Sequence, residues 1–332
     1  MTTHTHDRTH TDRDPLFIGI DVAKDKLDLA RSDADDVSTF TNNDDGIAQL
    51  VLAMKPAAPK LIVVEATGGY EQPALAALLD AGLPVALVNP GRVRHLAKAL
   101  GILAKTDAID AKVLVEFARH AQPRMAEKTP KKQAELDALV TCRRQLCKTR
   151  TEQTNRRAVT PSKHARKAID AVLKTINKQI DSLDDQIRKL IDADDDFNRM
   201  DKIIRSVPGA GTILSATLLA SLTELGATDR RQVGALVGVA PFNHDSGRLK
   251  GTRSIRGGRA DIRATLYMAT LAATRCNPVI RNFYQRLKDA GKRSKVALTA
   301  CMRKLLTLLN AMIRDGLHWH QLKIVQKLAN NP

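Results

Sequence analysis

The chain has 332 residues, a net charge of +17 and only 3% aromatic residues. That length suits two or three domains with a substantial core. So few aromatics exclude stacking on a Phe/Tyr platform as the main grip on a nucleic acid, which disfavours RRM-type and OB-type readers. No apolar run is expected to reach the roughly 18 residues of a membrane span, so no membrane partner is expected. Four cysteines without a CxxC or a neighbouring His set read as free thiols, which fits a reducing, cytoplasmic setting.

The charge is uneven. Met1 to Met125 holds 14 Lys and Arg against 17 Asp and Glu, a net of −3, whereas the remainder holds 39 against 19, a net of +20. Ser246 to Lys304 has 15 basic and 2 acidic residues. Such asymmetry points to a nucleic-acid partner for the C-terminal part, gripped through backbone and shape.

Taken in order, residues 1–15 read as a disordered tail whose His4, His6 and His10 are solvated. Leu16 to Asp21 is predicted as a strand, with Lys26 to Arg31 as its period-two hairpin partner and a third strand near Val37 to Phe40. A helix opens at Asp44 and runs to about Met54. Leu61 to Glu65 is a buried strand, Pro73 to Ala81 a helix closed by Gly82, and Val85 to Val88 a short strand. Helices follow over Arg92 to Leu100 and Ala108 to His120. This order predicts an α/β, RNase-H-like domain over 16–125. Residues 126–198 read as long helices broken near Thr160-Pro161. There Ile169, Leu173, Ile176, Ile180, Leu183, Ile187 and Leu190 form a heptad seam, read as a coiled-coil-like antiparallel hairpin that also serves dimerisation or nucleic-acid docking, with a helix that only packs within one subunit as the plainer alternative. A mostly α-helical domain is expected over 199–320, then a tail over 321–332. Within that domain Ser206-Val207-Pro208-Gly209-Ala210-Gly211-Thr212 before an apolar helix resembles a helix-hairpin-helix, in which backbone N–H groups at Gly209 and Gly211 face a phosphate.

Four acids stand out. Asp21 and Glu65 end apolar strands, where open α/β sheets bind ligands, and Asp107 and Asp110 share one helical face. Like charges gathered this way persist mainly with a divalent cation among them, and hard oxygen donors point to Mg2+ or Mn2+. A pair of such metals is the usual apparatus for phosphodiester chemistry. A second constellation is Pro241-Phe242-Asn243-His244-Asp245-Ser246-Gly247, followed by Arg248, Lys250, Arg253, Arg256, Arg259 and Arg263. Serine beside glycine among guanidinium groups suits a phosphoryl-transfer nucleophile, with His244 a nearby proton carrier. A turn or capping serine and simple backbone-contacting arginines are the plainer alternatives.

Together these residues resemble the one-ten family of insertion-sequence transposases, DEDD enzymes described as bridge-RNA-guided recombinases. The resemblance is carried by GIDVAKDKLDLA, VVEATGGY, KTDAIDAKVLVEFA, SVPGAGTILSATLLA and LVGVAPFNHDSG, in that order across Phe17 to Leu317. It implies magnesium on Asp21, Glu65, Asp107 and Asp110, and a catalytic Ser246 that attacks DNA to give a phosphoserine link. It also implies a RuvC-like N-terminal domain, a coiled-coil middle and a C-terminal transposase domain, a composite site between subunits of a tetramer (a homo-oligomer), and a structured guide RNA from the element. The rival reading is a metal-dependent RuvC-like nuclease or resolvase using the acids alone. An actin-like ATPase lacks its second phosphate loop here, and a catalytically dead nucleic-acid-binding protein does not need all four acids.

Overall fold

The computed structural model describes residues 14–104, 106–243, 245–246, 249–250 and 253–322, with side chains left out at 245, 246, 249 and 250. His4, His6, His10, His244 and Arg248 lie outside the described residues. Two units divide the chain, Met1–Thr129 and Pro130–Pro332.

In the first unit, alternation builds a two-sided sheet. Its elements are β1 (Phe17–Val22), β2 (Lys26–Arg31), β3 (Val37–Thr41), α1 (Asp44–Ala57), β4 (Leu61–Glu65), α2 (Gln72–Asp80), β5 (Val85–Val88), α3 (Pro90–Ala99) and α4 (Asp107–Ala121). The strand order is β3-β2-β1-β4-β5. The first three strands run antiparallel, whereas β4 and β5 run parallel to β1, as expected of an RNase-H-like sheet. Because successive side chains leave opposite faces, Phe17, Leu61 and Val63 pack with Val93, Ala97, Ala111 and Leu114 of α3 and α4. Ile18, Ile20, Ile62 and Val64 pack instead with Ile47, Leu50, Leu75 and Leu78 of α1 and α2.

Gly19 sits on the α3/α4 face. A Cβ there would lie 2.3 Å from the Ala111 carbonyl oxygen, 2.6 Å from Leu114 Cβ and 2.7 Å from the Val115 nitrogen. Only a residue without a side chain lets α4 ride this close over β1.

The second unit is helical apart from short ribbon strands. α5 (Lys131–Val159) and α6 (Lys163–Asp192) are joined at Thr160–Ser162 and pack side by side. Arg143 pairs with Asp184 and Arg157 with Asp170, which sets the two helices antiparallel. From the heptad seam, Ile176, Ile180 and Ile187 are buried, while Ile169, Leu173, Leu183 and Leu190 are half-buried. α7 (Asp195–Arg205), α8 (Thr212–Ser221), α9 (Arg230–Val237), α10 (Ala260–Cys276), α11 (Pro278–Asp289) and α12 (Ser294–Asp315) complete the unit. Their core includes Ile204, Leu214, Val233, Leu266, Ile280 and Leu305, and it takes in Leu136, Val140, Ile187 and Ile191 from the base of the hairpin.

α12 corrects one expectation. With 22 residues and a mean hydropathy of 1.4 over its apolar window, it is long and apolar enough to cross a membrane. Its apolar face, including Cys301, Met302, Leu305, Leu306 and Leu309, instead forms part of this core.

Candidate active site

The alternation that sorts the core also places the acids. Asp21 and Glu65 follow Gly19 and Val63 on the same face of the sheet, toward α4. Ile20 pairs with Val64 across parallel strands, so the two acids project side by side from neighbouring strand ends. α4 begins there: Thr106 caps it by accepting the Ile109 N–H at 3.3 Å, and Asp107 and Asp110 fill its first turn. A helix N-terminus by itself favours acids, so both also serve α4 as charge complements.

The four acids do not share one environment. Burial pushes the Asp21 carboxyl above its usual pKa, and Asp110, Asp107 and Asp28 push it further, against the Val22 N–H. Asp28 is a fifth acid, buried opposite Asp21 in the β1–β2 register. It accepts the Thr39 hydroxyl at 2.7 Å. Lys26 Nζ bridges Asp28 and Asp107 at 2.7 Å each, and the bonds to Asp107 and then Asp28 hold its own pKa above the usual lysine value. Arg94 reaches Asp110 at 3.4 Å.

The donor set suits a hard divalent cation, since it offers carboxylates and no thiol or imidazole. Beyond burial, the charges of Asp110, Asp107 and Asp28 raise the Asp21 pKa, and such an ion would offset them. Among the described residues, however, no three His, Cys, Asp or Glu side chains are grouped to hold one ion. Lys26 holds one oxygen of Asp107 and Arg94 reaches Asp110, and the second oxygen of each carboxylate can still face an ion.

Behind Glu65, the loop is held by Glu71. Its buried carboxylate accepts the N–H groups of Thr67 at 3.0 Å and Gly69 at 2.8 Å and the Gln72 amide at 3.1 Å. Burial acts to raise the Glu71 pKa, but these bonds and its own N–H outweigh it and hold the group below the usual carboxylate range.

The second constellation lies in the other unit. β6 (Pro241–Phe242) pairs with β9 (Ser254–Ile255), and between them β7 (Asp245–Ser246) pairs with β8 (Leu249–Lys250). Ser246 therefore lies on a β-ribbon, opposite Leu249. Arg253 and Arg256 are exposed. Arg259 and Arg263 are engaged within the protein. The Arg259 guanidinium makes two 2.6 Å bonds to Glu224, and Arg263 donates to the carbonyls of Gly257 at 2.6 Å and Val237 at 3.2 Å. Both anchor the base of the ribbon rather than reaching outward.

The glycine turn joins α7 to α8. Gly209 has φ +93°, and a Cβ there would meet Ala273 of α10 at 2.7 Å. Gly211 caps α8 without a side-chain bond and is exposed with Thr212 and Ile213. The turn is braced below by the buried Asp201, which accepts the Ser215 hydroxyl at 2.5 Å and Arg205 at 3.2 Å.

Two models of one transposase family match the chain. One, for the DEDD transposase of the IS110 type, covers residues 18–160, and the other, for the transposase of the IS116/IS110/IS902 family, covers residues 201–285. Together they take in well over half of the sequence. The chain belongs to the IS116/IS110/IS902 family of transposases. Among its relatives, the pilin gene-inverting protein of Moraxella bovis is 29% identical over 90% of this chain and 96% of its own length. The transposase of insertion sequence IS1111A from Coxiella burnetii is 24% identical over 72% of each. An uncharacterized 42 kDa protein of insertion element IS900 from Mycobacterium paratuberculosis is 36% identical over 37% of this chain and 32% of its own.

Within this transposase, sequence reasoning missed Asp28, Lys26, Arg94 and Glu71 as parts of the acid site. Asp28 carried a usable signal: it is an acid on the inward phase of a strand predicted to pair with β1. The other three gain their roles only through contacts that the fold creates.

Proposed function

We propose that this transposase excises and inserts its element by cutting and rejoining DNA through a covalent phosphoserine at Ser246, guided by a structured RNA encoded by the element. Asp21, Glu65, Asp107 and Asp110 would hold Mg2+ or Mn2+. The observation that supports this reading is the placement of the acids: Asp21 and Glu65 on one sheet face of neighbouring strands, with Asp107 and Asp110 in the first turn of α4, and an Asp21 carboxyl raised by burial first and then by Asp110, Asp107 and Asp28 of β2. The relatives' names, gene-inverting protein and insertion-sequence transposase, both denote DNA rearrangement, which requires strands to be broken and rejoined.

On this reading the acid domain occupies 16–125, a helical segment 126–198 and the serine-bearing domain 199–320. The Ser246 Oγ bonds to phosphorus as its proton passes to a base. The bond from phosphorus to the adjoining sugar oxygen breaks, and that oxygen takes up a proton. Attack by a hydroxyl of the second strand then reverses the step and frees the serine, so the phosphodiester is conserved. When bound, the metal supplies Lewis-acid stabilisation of the charged phosphoryl oxygens. Arg248, Lys250, Arg253 and Arg256 bind backbone phosphates, the turn at Gly209 and Gly211 adds N–H donors, and Arg259 and Arg263 hold the ribbon in shape. Association into a homo-oligomer lets one subunit's acids act with another's serine.

The test is a denaturing gel for protein–DNA adducts. Wild-type protein forms them with Mg2+, whereas Ser246→Ala and EDTA treatment abolish them. Asp21→Ala alone and Ser246→Ala alone are inactive, but mixing them restores adducts if the halves come from different subunits. Cleavage that persists in Ser246→Ala refutes the serine mechanism and leaves a metal nuclease using the carboxylates. Sequencing the RNA that co-purifies at low salt tests the guide, and its absence refutes that part.

A further inference from the structure

A cleft of about 890 Å³ opens in the C-terminal unit among α9, β9, α11 and α12. Arg230, Arg231, Arg253, Lys295, Arg303 and Lys304 line it, and among the described residues no acid does. Among the described residues none of these six forms a salt bridge, whereas Arg143, Arg157, Arg205 and Arg259 all do. Six unpaired like charges facing one hollow repel each other, and the arrangement is relieved by an anionic occupant. Burial first, then Arg286 outside the cleft lining, hold the Lys304 pKa below the usual lysine value.

The cleft also has an apolar lining, Val239, Ile255, Val296 and Leu308, with Val296 55% exposed. Phe283 also lines the cleft, but Lys304 lies 4.5 Å and Arg286 5.2 Å from its ring centre, so cations already use the ring. Aliphatic side chains accept a base by burial without the aromatic platform that this sequence lacks. The size is that of a site for an organic group, about 300–1,000 Å³. A free phosphate has nothing apolar to place on such a lining. A duplex meets it only with sugar and phosphate, because its bases are stacked inside. An unpaired strand offers both chemistries, phosphates for the cations and an unstacked base for the apolar side chains.

We infer that this cleft seats a single DNA strand, with its phosphates on the lining cations and one unstacked nucleotide against the lining apolar side chains. The choice of DNA rests on the function proposed above. β9 contributes Arg253, Ser254 and Ile255 to the cleft and pairs with β6, and the Ser246 ribbon extends from these two strands. A strand seated here therefore runs into the ribbon that carries the serine, as a cut end awaiting rejoining must.

The test uses full-length protein carrying Ser246→Ala and freed of RNA at high salt. Fluorescence anisotropy compares a single DNA strand, its duplex and the matching RNA, and a 2-aminopurine in the DNA strand reports unstacking. Val296→Glu and Lys295→Glu change exposed positions, which spares the core. Expected are tighter binding of the single DNA strand than of the duplex, a rise in 2-aminopurine emission, and roughly tenfold weaker single-strand binding in each variant. Equal affinity for duplex and single strand, a preference for RNA, or unchanged binding in Val296→Glu overturns the inference. The two readings fail separately. Adducts that need Ser246 but ignore Val296→Glu refute the cleft alone, and single-strand binding at the cleft without adducts from wild-type protein refutes the serine alone.

Discussion

Replacing Gly19 with alanine tests how the acid site is assembled. Alanine in a strand would by itself favour folding over glycine by about 0.5–1 kcal/mol. Against this stands the collision of the new Cβ with the Ala111 oxygen, Leu114 Cβ and the Val115 nitrogen, at 2.3 to 2.7 Å. Overpacking of this kind costs about 1–3 kcal/mol. The upper end applies because two of the three atoms are α4 backbone, which cannot turn aside as a side chain can. The net destabilisation is about 2 kcal/mol, which at an m-value of about 2 kcal/mol/M lowers the urea midpoint by about 1 M. Trp319 is the sole tryptophan and is buried in the Pro130–Pro332 unit, so its fluorescence follows that unit, while circular dichroism follows both. The expected result is an earlier circular dichroism transition with the Trp319 transition in place, and loss of DNA cleavage in the folded protein as Asp107 and Asp110 move from Asp21. A circular dichroism midpoint within about 0.3 M of wild type, with cleavage intact, refutes the close approach of α4 to β1 as the basis of the site.

Further outcomes follow from contacts elsewhere. Ser215→Ala leaves the buried Asp201 short of a donor and destabilises the C-terminal unit by about 1–3 kcal/mol, read as an earlier Trp319 transition. Glu71 has a depressed folded pKa, so its contribution is present above the unfolded carboxylate value near 4.3 and lost as pH falls through the folded value. Acid titration of the first unit should therefore be less steep in Glu71→Gln, and an unchanged profile would contradict the role given to its bonds. Burial lifts the Cys301 thiol to about 11, whereas Cys142 and Cys276 are exposed. A thiol reagent at pH 8 should label Cys142 and Cys276 quickly and reach Cys301 only on unfolding, as mass spectrometry of the labelled peptides would show.

Much of the first unit was legible because its signals are local. Strand alternation places Leu61, Val63 and Glu65 on one face without reference to any other segment, and the break at Thr160-Pro161 follows from the chemistry of proline. What stayed hidden depends on register and on pairs distant in sequence. Lys26 reads as a surface lysine at a strand start until β2 folds back and sets it between Asp28 and Asp107. The arginine run after Ser246 reads as uniform, but Glu224 and two carbonyls claim Arg259 and Arg263, leaving Arg253 and Arg256 exposed. The basic cleft could not be read at all, since its cations come from three separated stretches. α12 was missed as a long apolar helix because Arg303 and Lys304 interrupt its text, although both stand on its cleft-facing side.

The long hairpin has a consequence for how the molecule opens. Its helices, of 29 and 30 residues, extend about 45 Å. Burial is confined to one end: no residue of α5 beyond Val140 is buried, and none of α6 before Ile176. Val159 is 81% exposed near the bend. Amide hydrogens should accordingly exchange along a gradient, slowest where Leu136, Val140, Ile187 and Ile191 join the core and fastest beyond the Arg157–Asp170 pair. The hairpin is a rod clamped at its root and free to fray at its tip, so a partner that grips the tip will register as slowed exchange there before anything changes at the root.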